Sequence, residues 1–501
     1  MRLQPYFRVL SFVSALGLAF SIALSAGEMS QTLDFVPLAA VAPNNPNDAS
    51  GANAAGTACN TTGLPGPVYK SDFYHCYTPA VIQQAYGVDK LHQAGITGQG
   101  QVIILVDSYG SPTALSDLQT FSTAFNLPAP NLEIIYPDGA PTYNNAVNGS
   151  PSGWAFETNL DLQWAHAIAP NAKLVLVAGN PAETQGVQGF PSLFKGLEMA
   201  INKYPGAVVS QSFGVTEQSF QGAASTQVAR FDQVYQEAIA NRVTLLASAG
   251  DNGTANTDKQ GRLYPYKTAG WPASDPLVTA AGGTWLQSGW TWNPTVSADT
   301  FYNCLNTSSF GTCATSYLNA TSGGSSEAVW KEDWLPAATG GTLSSLYSTP
   351  DYQKGLNPSL LQGRRGVPDV SWNAAVDGGA LVYTSFGGAR VGWHPVGGTS
   401  AASPQLAGLV ALANQLADNS GKQHIGFLNP YLYQLPGTAF RDIVPQTYGT
   451  GSGVTTLDSN QEYGSGVPGE ATTTGYDLTT GLGVPVADVF VQKLVNMLPA
   501  K

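Results

Sequence analysis

Short runs of apolar residues recur along the chain, with stretches of helical spacing between them. Gln101-Val-Ile-Ile-Leu-Val-Asp107, Lys173-Leu-Val-Leu-Val177, Ala207-Val-Val-Ser210, Val243-Thr-Leu-Leu-Ala-Ser248 and Leu277-Val-Thr-Ala-Ala281 read as buried strands. Residues 154–168, 191–203 and 225–241 read as helices. In the last, Val228, Phe231, Val234, Tyr235 and Ile239 fall near helical spacing. Strands alternating with helices predict an α/β fold: a doubly wound, mainly parallel sheet with its site at the carboxyl ends of the strands.

Two regions depart from this pattern. From 284 to 345, Trp, Asn, Ser, Thr and Gly dominate and two cysteines fall inside, which predicts a long surface excursion pinned by a disulfide. At the other end, Arg2 and Arg8 precede an apolar run from Val9 to Leu24 that closes on Ala23-Leu24-Ser25-Ala26. This reads as a signal peptide over residues 1–26, being short for a membrane span and flanked by small residues. Residues 27–70, rich in Ala, Asn, Pro and Gly, read as a loose N-terminal arm, and 71–501 as one large domain.

Composition narrows the function. Hydrophobic residues make up 43% of the 501, which suits a globular chain. Charged residues are only 11%, so the surface changes little as pH falls. The formal charge of −12 argues against nucleic acid or an anionic membrane as partner, and it is compatible with an acidic working pH. The expectation is a secreted, soluble monomer. Its four cysteines, Cys59, Cys76, Cys304 and Cys313, then suggest two disulfides. Neighbour pairing is the simplest of the three connectivities. No CxxC occurs and the five His are scattered, so a zinc site is not expected. N-x-S/T sequons at Asn60, Asn148, Asn252, Asn306 and Asn319 matter only in a glycosylating host.

Four segments carry candidate chemistry. In Gly397-Gly398-Thr399-Ser400-Ala401-Ala402-Ser403-Pro404, Ser400 stands at a glycine-rich turn entering an apolar helix, Gln405 to Ala417. Such a turn lets backbone approach a substrate and offers free N–H groups to an oxyanion, although the same pattern also serves as an ordinary helix cap. Glu157 and Asp161 are spaced i, i+4, which puts both carboxylates on one helix face among Trp154, Phe156, Leu160 and Trp164. Paired there, they favour sharing a proton, and a glutamate so tuned accepts a proton in acid, where histidine is already charged. Asp251 follows an apolar strand in Ala247-Ser248-Ala249-Gly250-Asp251-Asn252-Gly253, where a turn Asp is also common. Asp107 could serve a histidine-based triad, but no H-G-T-H segment accompanies it. His166 reads as a helix-end histidine.

Together these segments resemble the sedolisin family of serine-carboxyl peptidases. Gly398-Thr399-Ser400 with Pro404 matches the G-T-S-x-x-x-P nucleophile segment shared with subtilisins, with Gly397 where the family usually has Ser. Glu157 to Asp161, running into Ala169-Pro170, resembles the family's E-x-x-x-D helix, and Gly250-Asp251-Asn252-Gly253 its A-G-D-x-G turn. Glu327-Ala-Val-Trp330 and Val367-Pro-Asp-Val-Ser371 extend the likeness, which runs from about Tyr77 to the C-terminus. The resemblance implies a subtilisin-like fold and an acid-acting endopeptidase or tripeptidyl-peptidase. It implies Ser400 as nucleophile, Glu157 as general base, Asp161 as its orienting partner and Asp251 as a protonated oxyanion donor. Ser210-Gln211-Ser212-Phe213-Gly214 resembles the S-x-S-x-G edge, which implies that Ser212, Phe213 and Gly214 pair with a peptide or unfolded protein.

Near the C-terminus, Asp442-Ile443 and Thr473-Thr-Gly475-Tyr-Asp477, before Thr480-Gly-Leu-Gly-Val-Pro485, resemble the family's calcium segment. This implies one Ca2+ site built from Asp442, Ile443, Thr473, Gly475 and Asp477, with Thr473 replacing the usual Gly. Sedolisins usually carry a long folded propeptide, whereas only about fifty residues separate signal and catalytic start here, so a full prodomain is not expected. A binding protein on an inactive scaffold would have no reason to keep Ser400, Glu157, Asp161 and Asp251 together, and a histidine-based subtilisin lacks its His.

Overall fold

A strand apolar at nearly every position must be covered on both faces, and the sheet is built that way. The computed structural model describes residues 40–41, 64–68, 76–143, 150–180, 189–220, 225–258, 261–292, 318–332, 337–386, 391–448, 455–462 and 465–501. Its central strands are β1 (Val102–Ser108), β2 (Asn131–Ile135), β3 (Lys173–Gly179), β4 (Val208–Gln211), β5 (Thr244–Ser248) and β6 (Thr279–Trp292). They pair in parallel in the order β2-β3-β1-β4-β5-β6. Helices α1 (Ala114–Ala124), α2 (Ser150–Ile168), α3 (Phe190–Lys203) and α4 (Ser225–Ala240) lie in the connections. Alternate residues of a strand point to opposite faces. Ile103 and Leu105 therefore join one core with Leu160 and Trp164, while Ile104 and Val106 join another with Phe194 and Tyr235.

The stretch from 284 onward differs from its expected form. β6 runs on to Trp292, and β7 (Leu318–Val329) returns antiparallel to it, with Thr284 opposite Val329 and Trp292 opposite Leu318. Trp285 and Trp330 are buried. Much of this supposed surface excursion is thus sheet and core. Polar side chains pair across the strands, the buried Thr284 hydroxyl to buried Glu327 and the exposed Ser326 Oγ to buried Gln287 Oε1 at 3.0 Å, so no apolar run marks it. Two short strands follow, β8 (Lys331–Glu332) and β9 (Ala337–Ala338), paired antiparallel. Residues 293–317, with Cys304 and Cys313, lie outside the described residues, as does Cys59. Cys76 is disulfide-bonded.

β10 (Val370–Asn373) adds in parallel to β6. β11 (Gly379–Thr384) and β12 (Gly392–Gly397) then form an antiparallel pair that delivers the chain into α5 (Thr399–Asn419), a helix buried along almost its whole length. The described pieces of the stretch read as a loose arm are docked on this pair. Ala40–Val41 runs antiparallel to β12, and Trp393 gives its N–H to Pro67 O at 3.0 Å and its Nε1–H to Pro65 O at 3.0 Å.

Candidate active site

Helix α2 is buried on every side although it is not apolar: each residue from Trp154 to Ile168 is buried, the polar Glu157, Thr158, Asn159, Asp161, Gln163 and His166 among them. It stops where Pro170 cannot continue it. Glu157 and Asp161, one turn apart, are both 0% exposed, and so is Asp107 at the end of β1. Burial first, then the charges of Asp107 and Glu157, hold the Asp161 carboxyl well above its usual range. The Ser212 hydroxyl, which donates to Asp161 Oδ1 at 2.9 Å, pulls the other way. Burial pushes Asp107 up to about 7, with the Thr158 hydroxyl opposing it. Three carboxyls thus meet in a dry interior, an arrangement that holds protons rather than three charges.

Ser400 is the second residue of α5 and is 0% exposed; its hydroxyl makes no hydrogen bond among the described residues. Two features set the hydrogen bonding of this helix's first turn. Pro404 has no N–H to give to the Ser400 carbonyl four residues before it. The Thr399 N–H, one of the donors a helix start leaves over, goes to Asp251 Oδ1 at 2.8 Å. The Thr399 hydroxyl donates to the same oxygen at 2.8 Å and accepts the Gly250 N–H at 3.0 Å. Both bonds fall on Oδ1, which leaves Oδ2 to carry a proton. Asp251 keeps some exposure, yet enough protein surrounds its carboxyl for burial to push it up to about 7, against the two Thr399 bonds.

Further contacts tie the two halves. Ser403 and Ser210, on α5 and β4, bond through their hydroxyls at 2.8 Å. Residues 212–214 follow β4 directly and pair with no strand among the described residues. The Ser212 hydroxyl faces Asp161, while the Phe213 ring turns into the core, 5.7 Å from Phe190. His166, buried with Nε2 3.0 Å from Pro128 O, has its pKa lowered by burial to about 4, so it is a helix-end histidine held neutral. The sequence did not single out Thr399 or the coupling of Asp107 to Asp161. The available signals were Thr399's place beside the serine and a lone acid ending an apolar strand.

The C-terminal segment brings its acids onto one turn. Asp442 Oδ2 accepts the Gly475 N–H at 2.9 Å, and Asp477 accepts the N–H groups of Thr473, Thr479 and Thr480 at 2.8 to 2.9 Å. Gly475 sits at φ +79, a conformation that favours glycine, whereas Thr473 is not at positive φ and so its substitution for Gly costs no backbone strain. Two carboxylates with backbone carbonyls from the same turn are the donor chemistry a hard cation takes. Among the described residues no group of three His, Cys, Asp or Glu gathers to hold a metal, at this turn or elsewhere.

The model of the subtilase family matches residues 146–466, a span that contains Glu157, Asp161, Asp251 and Ser400. Kumamolisin of Bacillus sp. (strain MN-32) is 30% identical over 426 residues, 84% of this chain and 64% of that protein. Sedolisin of Pseudomonas sp. (strain 101) is 28% identical over 77% of this chain and 56% of its own length. The chain belongs to the subtilases, in the sedolisin family. Tripeptidyl-peptidase sed4 of Aspergillus fumigatus is 28% identical over 74% of this chain and 59% of its length. The chain thus spans from 56% to 64% of the length of these three sedolisin relatives. The solved structure of Pseudomonas sedolisin, a serine-carboxyl proteinase complexed with two molecules of pseudo-iodotyrostatin, superposes with a TM-score of 0.61 at 23% identity. The match covers 85% of this chain and 99% of that one, so the fold is subtilisin-like. Among the described residues no helix is long and apolar enough to cross a membrane.

Proposed function

We propose that this chain is a secreted serine-carboxyl peptidase that hydrolyses peptide bonds in acid through an acyl-enzyme on Ser400. The observation that carries the reading is the pair of bonds from Thr399 to Asp251 Oδ1, which sets an acid with a raised pKa beside the serine turn.

Ser400 Oγ attacks the scissile carbonyl carbon, and its proton passes to ionised Glu157. Asp161, which burial and its acidic neighbours keep protonated, orients Glu157. The new C–O bond makes a tetrahedral oxyanion. A carboxylate at Asp251 would repel it, whereas protonated Oδ2 donates a hydrogen bond to it. Collapse breaks the C–N bond as Glu157 returns the proton to the leaving amine. Water then attacks the acyl ester, giving a proton to Glu157 that passes back to Ser400 Oγ as the second product leaves. The substrate is a peptide or unfolded protein, added as a strand along Ser212, Phe213 and Gly214.

One Ca2+ would be held by the Asp442 and Asp477 carboxylates with the carbonyls of Ile443, Thr473 and Gly475. When bound, it neutralises the acids of that turn and braces the C-terminal segment.

The test is cleavage of an unfolded protein between about pH 3 and pH 7 by the wild type, Ser400→Ala and Glu157→Ala. Loss of activity in both variants is expected, and equal activity in all three would overturn the reading. Sequencing the products separates internal cuts from tripeptides released at N-termini.

A further inference from the structure

We propose that Glu332 is a positioning residue that holds the Ser400 turn and the Asp251 turn in one register. The proposal rests on the peptidase reading for its catalytic consequence, though not for its structural one.

Glu332 is 1% exposed, on β8, in a chain where charged residues are scarce. Its carboxyl takes three N–H groups. Oε1 accepts from Asp377 N at 2.7 Å; Oε2 accepts from Val376 N at 2.9 Å and from the buried Trp330 Nε1 at 2.8 Å. Two of these donors belong to the backbone of loop 374–378, which joins β10 to β11. That loop backs the entrance to α5, because Ala374 O accepts the Gly398 N–H at 2.6 Å, two residues before Ser400. The fit is close enough that a Cβ on Gly397 would stand 2.5 Å from Ala374 O and 2.6 Å from Val376 N.

The same short strands also grip Asp251. Glu332 pairs with Ala337, and the next residue, Ala338, donates its N–H to Asp251 O at 3.0 Å and accepts the Gly253 N–H at 2.9 Å. One side of the β8–β9 pair therefore carries the Asp251 backbone, and the other, through Glu332, carries the loop behind Gly398. These two turns must keep their spacing if an acid on one is to meet an oxyanion formed beside a serine on the other. Misplacement by about 1 Å is enough to cost roughly 10²-fold in rate.

The test compares the full-length wild type with Glu332→Ala and Glu332→Gln by two readouts. Amide hydrogen exchange reads positioning without requiring activity. In Glu332→Ala, faster exchange is expected at both 398–402 and 251–253, with far-UV circular dichroism unchanged. Steady-state kinetics reads the consequence: Glu332→Ala should lose roughly 10²-fold in kcat with KM within about threefold. Glu332→Gln, which keeps an acceptor for two of the three donors, should lose roughly tenfold, and it keeps the test open if the Ala variant does not fold. Unchanged exchange at both turns overturns the proposal, as does a kcat loss that merely tracks the folded fraction. Faster exchange in a chain whose wild type cleaves nothing supports the strut and overturns the peptidase reading instead.

Discussion

Asp251 and Thr399 are 148 residues apart in sequence, and a single carboxylate oxygen of the first takes both the N–H and the hydroxyl of the second, each at 2.8 Å. The proposed oxyanion acid and the proposed nucleophile turn are therefore one hydrogen-bonded unit. Thr399→Val keeps the N–H and removes the hydroxyl. It also strips Gly250 N–H of its acceptor. A drop of about tenfold in kcat is expected, the worth of ~1.4 kcal/mol. Because the hydroxyl lowers the Asp251 pKa, its loss should move the alkaline limb of kcat upward. A limb that moves toward acid would contradict this arrangement.

Asp251→Asn tests the protonation state itself. An amide keeps a donor at every pH, with its carbonyl on the Thr399 side and its NH2 where the carboxyl proton would be. The Asp251→Asn variant is expected to retain more kcat than Asp251→Ala, for which a loss of roughly 10²–10³-fold fits the removal of one oxyanion donor. The limb near pH 7 that the wild type owes to Asp251 should disappear in the Asn variant. A pH profile that keeps that limb in Asp251→Asn would assign it to another group.

The raised carboxyls also predict how stability depends on pH. Asp251 rises from 3.8 to about 7 on folding, so the folded state binds more protons than the unfolded state between those values. Its contribution is full below about 3.8 and is lost as pH climbs through about 7. Asp161 shifts in the same direction. Chemical denaturation should show the chain more stable near pH 4 than near pH 7.5, with part of the difference removed in Asp161→Asn. Greater stability at the higher pH would show these acids to be ionised in the folded state.

How far the site could be read from sequence follows from distance along the chain. The i, i+4 spacing of Glu157 and Asp161 among aromatic residues is local, and both carboxyls are buried on α2 as that spacing implies. The apolar runs at 101–107, 173–177 and 243–248 became β1, β3 and β5 with ends shifted by one or two residues. What escaped was non-local or polar. The charges of Asp107 and Asp161 meet across 54 residues of chain, and the Thr284–Glu327 pair buries polar groups where hydrophobic periodicity is blind.

Gly397, which departs from the Ser usual at this place in the family, has a steric reason. Any side chain there would drive a Cβ against Ala374 O and Val376 N, 2.5 and 2.6 Å away. Gly397→Ser should therefore destabilise the protein by about 1–3 kcal/mol, the usual cost of overpacking, and should lower kcat because the loop that moves carries the acceptor for Gly398 N–H. Urea denaturation and kcat measured together check this, and a variant as stable and active as the wild type would mean that the loop yields freely.

The C-terminal turn yields the last prediction. Asp442 and Asp477 both spend carboxylate oxygens on backbone N–H groups of residues 473–480, which tethers the end of the strand Phe440–Arg441 to that turn. Asp442 reaches that turn from the strand end and Asp477 lies on it, so a divalent cation held by both carboxylates would cross-link the two. Added Ca2+ should raise Tm in proportion to RT ln(1 + [L]/Kd), and a chelator should lower it. In Asp442→Ala the dependence on Ca2+ should vanish. Its Tm without the ion should stay close to that of the chelated wild type, because the lost Gly475 bond is exposed. If the wild-type Tm and activity are both indifferent to chelator, the turn is held by its hydrogen bonds alone.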